Sequence, residues 1–211
     1  MKKSKFIIVF AIIIVIGAYI FNNFRSDVNI TQYVKKVDQI PQQFYDSRLE
    51  EKIAPGGYIN GYVRKVTDGD TIQVEYNGNV YKVRLLDIDT PESVKSGVPV
   101  QAYAKEASQF TKEMTLNKTI KLFFEKGLKD KYDRLLAHII LKDGEYLNAL
   151  LVRNGYARVE VLSPNTEFKF YFDQLEQKAV SEKVGLWGLK KDEIPFVWSS
   201  SGYYIPRYWN N

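Results

Sequence analysis

Thr71-Ile72-Gln73-Val74-Glu75-Tyr76 alternates side-chain character residue by residue, and Asn77-Gly78 then offers the positive φ values of a two-residue hairpin. Val80 to Leu86 resumes the alternation, with Tyr81, Val83 and Leu85 on one face. Two paired strands are therefore required early in the chain. Ile59 to Val66 precedes them and ends at Asp68-Gly69-Asp70, which makes a three-strand meander. Tyr103, Ala107, Phe110 and Met114 recur at helical spacing, so residues 100–116 read as an amphipathic helix. Ile120 to Phe124 and Leu135 to Leu141 read as two more strands. A short helix over Leu147 to Asn154 stops at Gly155, and Phe168, Phe172, Leu175 and Ala179 stripe a final helix that ends near Gly185.

Five strands with a helix between the third and fourth is the order of a small Greek-key barrel of the oligonucleotide-binding type, an α+β fold that is mainly β barrel with three helices. Fold alone assigns no chemistry. The 211 residues contain no cysteine, which excludes a disulfide scaffold, a thiolate metal site and a cysteine nucleophile. His138 is the single histidine, which argues against a Ser-His triad or a polyhistidine metal centre. Catalysis, if present, runs on carboxylates, Arg, Lys and Tyr.

The formal charge of +5 is unevenly placed. Lys2, Lys3, Lys5 and Arg25 fall in the first 25 positions with no acid, and the remaining 26 basic residues face 25 acids. Anion binding must rest on particular residues, because the rest of the chain carries almost no net field. Residues 1–25 contain an uncharged run from Phe6 to Phe21 behind the three lysines. Continued as a helix to Phe24 it spans roughly 28 Å, close to the ~30 Å hydrocarbon core. An uncleaved membrane anchor is favoured over a cleaved signal peptide, because Gly17-Ala18 is followed by bulky Tyr19, Ile20 and Phe21. The lysines place the N-terminus in the cytoplasm and everything after Arg25 outside. Residues 26–57 read as a spacer, with a short helix over Ser47 to Lys52, and residues 58–190 as the folded domain. Residues 191–211 form an aromatic-rich tail of Phe196, Trp198, Tyr203, Tyr204, Tyr208 and Trp209. It is expected to dock on its own domain, with base stacking, wall contact and membrane contact as rivals.

Three segments carry the chemistry: Asp68-Gly-Asp-Thr71, Arg84-Leu-Leu-Asp-Ile-Asp-Thr-Pro-Glu92 and Asp130-Lys-Tyr-Asp-Arg134. Each has an ordinary reading. Asp-Gly turns join strands routinely, as Asp143-Gly144 does here, Asp-Thr-Pro-Glu resembles a helix start, and a loop arginine is usually solvated. Together they gather carboxylates and two arginines at strand ends of one small barrel. Aspartate oxygens suit a hard cation, and paired guanidiniums suit a phosphodiester.

At these residues the sequence resembles the staphylococcal nuclease (thermonuclease) family. DGDT, RLLDIDTPE, DKYDR, LLVRNGYARV and the final GLW occur in the family's order over about residues 58–188. The resemblance implies a calcium-dependent nuclease acting on DNA and RNA. Asp70 and Asp89 match its calcium-binding aspartates, and Thr90 matches the residue that gives a backbone carbonyl. Glu92 matches the general base for water, Arg84 and Arg134 the phosphate-clamping arginines, and Lys131 and Tyr132 the contacts to a terminal phosphate. Three places depart from the pattern. Val159-Glu-Val-Leu-Ser-Pro164 stands where a tyrosine-rich stretch packs on the nucleotide base, and the 93–100 loop holds only Lys95 as a base. Asp133 replaces a common glycine and is expected to tune or mask Arg134. Two other readings remain open: a non-catalytic nucleic-acid-binding barrel, and an envelope scaffold that works through its aromatic tail.

Overall fold

The hairpin expected at Asn77-Gly78 is present in the computed structural model, which describes residues 55–210 with the exception of Lys95. Strands β1 (Tyr58–Asp68), β2 (Thr71–Tyr76) and β3 (Asn79–Leu85) form an antiparallel meander. Asn77 and Gly78 make its tight turn at φ 48° and 76°. Strand β4 (Ile88–Asp89) follows, then helix α1 (Ala104–Thr115) and strands β5 (Thr119–Phe123) and β6 (Leu135–Ile140). β3 pairs in parallel with β6, β6 with β5, and β5 with β1, so the five strands close in the order β1-β2-β3-β6-β5. Closure removes the unpaired edges that an open sheet would expose. All six residues of β6 are buried, as a strand covered on both faces requires. Ile72, Val74, Val83, Leu85, Leu122 and Ile139 fill the interior.

Helix α2 (Leu147–Arg153) is followed by strand β7 (Arg158–Val159) and helix α3 (Lys169–Ser181), which completes the expected three helices around one barrel. Gly155 ends α2 at φ 66°, and a Cβ there would lie 2.1 Å from the Val184 carbonyl oxygen. No other residue fits that approach of two backbones.

Four features correct the pattern reading. α1 begins at Ala104 rather than residue 100, because Gln101 is held by Glu92 through both its backbone and its side chain. Pairing of the barrel already starts in the segment read as spacer, where Gly56 N–H donates to Phe124 O at 2.9 Å and Phe124 N–H to Gly57 O at 3.0 Å. A two-stranded sheet of β4 and β7 was not expected from pattern, since each strand has only two residues. The tail is also more ordered in conformation than an extended segment. β8 (Phe196–Trp198) pairs with β9 (Tyr204–Pro206), and a 3₁₀ turn covers Arg207–Asn210. This strap docks on the domain through a second core of Ala179, Leu186, Trp187 and Phe196.

The expected membrane anchor over residues 6–24 and the expected helix over 47–52 lie outside the described residues. Among the described residues no helix is long and apolar enough to cross a membrane.

Candidate active site

The barrel brings the first two motifs together through register. Thr71 on β2 is paired with Arg84 on β3, and Leu85 N–H donates to Asp70 O at 2.9 Å. The Asp68–Thr71 turn therefore sits over the Arg84 side chain. Gly69 in that turn packs so tightly that a Cβ would lie 2.8 Å from Thr90 Cγ2 and 2.9 Å from Ala107 Cβ. Asp70 is fixed from three directions. Its Oδ1 accepts from Thr71 Oγ1 at 2.8 Å, and its Oδ2 accepts from Thr90 N–H at 3.0 Å and Thr90 Oγ1 at 3.1 Å. Thr90 is buried and acts here as a brace for Asp70.

Arg84 is buried at the centre of this array. Its Nη1 donates to the carbonyls of Leu85 at 2.7 Å and Ile88 at 2.6 Å. Nη2 faces Glu160 Oε2 at 3.0 Å, Asp89 Oδ1 at 3.4 Å and Asp70 Oδ2 at 3.5 Å. Burial works against the charge on Arg84, but Asp70, Asp89 and Glu160 outweigh it and leave the guanidinium more basic than an ordinary arginine.

The short sheet of β4 and β7 sets Asp89 directly opposite Arg158. Arg158 Nε donates to Asp89 Oδ2 at 2.8 Å and its Nη2 to Glu160 Oε1 at 2.7 Å. Its Nη1 reaches the carbonyls of Val159 at 3.1 Å and Tyr204 at 2.8 Å. Glu160 thus bridges two buried arginines. Burial, with Glu160 close by, raises the Asp89 carboxyl to about 7 against the pull of Arg158 and Arg84. Asp68 is likewise raised by burial and by the neighbouring Asp70.

Asp68, Asp70, Arg84, Asp89 and Glu160 line a cleft of about 690 Å³ that also takes in Glu92, Lys131, Tyr132 and Arg134. All eight residues expected from sequence thus fall in or beside one cleft: Thr90 does not line it but braces Asp70, which does. Glu92 is held by Gln101, whose side chain accepts the Glu92 N–H at 2.7 Å and whose N–H donates to Glu92 O at 3.0 Å. In the 130–134 loop, Asp130 Oδ1 accepts the backbone N–H groups of Tyr132 and Arg134 at 2.9 and 3.0 Å, which shapes the loop. Asp130 Oδ2 takes Arg134 Nε at 2.7 Å, and this pairing lowers the Asp130 carboxyl although burial opposes it. The expectation that Asp133 masks Arg134 is corrected. Asp133 pairs with Lys129 at 2.6 Å and faces solvent. Its φ of 61° explains why the position suits glycine, and aspartate tolerates it.

Sequence reasoning missed Arg158, Glu160, Gln101 and Tyr208. Arg158 and Glu160 left a signal, since two charges at i and i+2 share one face of an otherwise apolar strand. Tyr208 left none; its hydroxyl donates to Glu92 Oε1 at 3.3 Å across 116 residues of chain. His138 takes no part in the cleft. It is buried, with Nε2 on Glu125 Oε1 at 2.7 Å and Nδ1 on Tyr146 OH at 2.5 Å.

The donor set suits a calcium ion. Asp70 and Asp89 supply hard carboxylate oxygens, and the cleft lining holds six acids against four bases.

Glu176 on α3 supports the site from behind by accepting Val159 N–H at 2.6 Å. Burial raises its carboxyl from 4.5 to about 7. A group raised on folding gives its full contribution below about pH 4.5 and loses it as pH climbs through about 7. Glu176→Gln keeps an acceptor for Val159 and should gain stability relative to the native chain between pH 5 and 8, by up to roughly 3 kcal/mol. Urea unfolding at the two pH values checks this, and a difference that does not change with pH would refute it.

A sequence profile of the family described as staphylococcal nuclease homologue matches residues 82–188. The chain is 39% identical to a thermonuclease of Staphylococcus intermedius over 125 residues, 59% of this chain and 74% of the relative. It is 39% identical to endonuclease YncB of Bacillus subtilis over 154 residues, 72% of this chain and 67% of the relative. The SPbeta prophage-derived endonuclease YokF of the same organism is 42% identical over 148 residues, 69% of this chain but 46% of YokF. Profile, identity and closed barrel agree, and the chain belongs to the family of staphylococcal nuclease homologues.

Proposed function

We propose that this protein is a calcium-dependent nuclease that hydrolyses DNA and RNA, tethered by residues 1–25 with its catalytic domain outside the cytoplasmic membrane. The observation that carries the reading is the meeting of Asp70, Arg84, Asp89, Glu92 and Arg134 in one cleft, from three separate segments of chain. Two of its relatives are named as endonucleases and one as a thermonuclease.

Asp70 and Asp89, with the Thr90 carbonyl, would hold the calcium ion, which supplies positive charge to a phosphate oxygen and draws in water. Arg84 and Arg134, which line the same cleft, meet the charge that grows on the phosphate oxygens in the transition state. A phosphate entering at Arg84 competes with Glu160 for Nη2, so substrate takes the place of an internal carboxylate. Glu92 accepts a proton as the water oxygen bonds to phosphorus. The bond to the departing sugar oxygen breaks, and that oxygen takes a proton from solvent. Lys131 and Tyr132 stand on the Arg134 rim, where they meet a terminal phosphate.

Initial rates on single-stranded DNA, duplex DNA and RNA, with calcium or with chelator, test the reading. Activity should vanish in chelator and fall well below the calcium rate in magnesium, which demands a smaller and near-ideal octahedron. Asp70→Asn should weaken the dependence on calcium far more than Asp143→Asn. Asp143 sits in the ordinary 141–145 turn, where it accepts Glu145 N–H at 3.1 Å. Full turnover in chelator would remove calcium from the scheme, and no turnover under any condition would favour the binding-module reading.

A further inference from the structure

We propose that the C-terminal strap, residues 191–210, forms a stacking platform for unpaired bases of the substrate strand, in a groove beside the cleft. The proposal rests on the nuclease reading for the position of the phosphate. The strap lies beyond the matched family region, which ends at residue 188.

A groove of about 720 Å³ opens between α3 and the strap, and Glu160, Val161, Leu162 and Trp209 line both it and the cleft. The two spaces therefore adjoin. A strand with its phosphate at Arg84 and Arg134 can place a neighbouring base in the groove without leaving the surface.

The groove's rim is aromatic. Trp198, Tyr203 and Trp209 are 62%, 52% and 56% exposed, although large rings normally gain most by burial. Trp198 and Trp209 are held by their surroundings. Trp198 meets Tyr204 edge-on with centroids 4.9 Å apart, and Tyr204 packs on buried Trp187 at 4.6 Å. Trp209 lies 5.9 Å from the Arg158 guanidinium, which itself grips the strap at Tyr204 O. Rigid, solvent-facing rings beside a phosphate site are what a single strand needs, because every base offers a π-face. The aliphatic Val161 and Leu162 supply floor but no stacking surface. Paired bases are already stacked within a duplex, so the platform selects single-stranded DNA or RNA.

The test uses the full chain carrying Trp198→Ala and Trp209→Ala together, with circular dichroism to verify the fold. On a short single strand KM should rise roughly tenfold, the scale of one base-aromatic stack, while kcat stays within about twofold. Phenylalanine at both positions should restore most of the affinity. The same strand with abasic spacers should raise the native KM by a similar factor and abolish the difference between native and variant. A variant KM within twofold of native on the normal strand overturns the proposal, as does a penalty that persists on the abasic strand. Should the native chain cut nothing, the nuclease reading fails separately, and the fluorescence anisotropy of a dye-labelled single strand still decides the platform. Weaker binding of that strand by the variant than by the native chain upholds it, and equal binding by the two removes it.

Discussion

Glu92→Gln is expected to lower kcat on single-stranded DNA by at least about 10² to 10³, with a much smaller change in KM. A positioned general base contributes roughly 10² to 10⁴ in rate. Glutamine keeps the shape of the side chain and can still accept from Tyr208, but it cannot take a proton from water. The Glu92 backbone is fixed through Gln101 at both N–H and C=O, so the substitution should leave the loop in place. Calcium binding should survive too, because Asp70 and Asp89 are untouched. Calorimetry with calcium and a non-hydrolysed nucleotide separates the two effects. A variant that binds calcium normally and retains more than half the native rate would exclude Glu92 as the base.

Arg158→Met should be the most damaging single change to stability near the site, at about 3 to 5 kcal/mol, the cost of breaking a buried ion pair from one side. Methionine fills much of the volume and removes the charge. Asp89 and Glu160 then lose their short contacts of 2.8 and 2.7 Å, and the strap loses its bond at Tyr204 O. Burial already raises the Asp89 carboxyl with Arg158 present, so losing that cation should move it higher still. Weaker calcium binding should accompany the drop in Tm. Urea unfolding with and without calcium measures both, and a loss below about 1 kcal/mol would show that the pair is solvated rather than buried.

The two substitutions mark different kinds of information in the chain. Glu92 belongs to the short contiguous motif Asp89-Thr90-Pro91-Glu92, and the resemblance carried by that motif makes it a candidate base on local sequence alone. The same holds for the barrel strands. Alternation at period two, an Asn-Gly turn and an apolar run at Leu135 to Leu141 are local properties, and local steric preferences with one-sided burial set them before any distant contact forms. The sequence by itself therefore determined the five barrel strands and the three helices, and its resemblance to a family named eight candidate residues that the fold gathers in or beside one cleft. Tertiary structure decided the network around them. Asp89 meets Arg158 across 69 residues, Arg84 meets Glu160 across 76, and Tyr208 reaches Glu92 across 116. No periodicity encodes such pairings, because a two-residue strand has too few positions to show one and a strap held by a few aromatic contacts has no repeat. Their geometry exists only once the barrel has closed and β4 has paired with β7, so that burial forces each charge to find its partner.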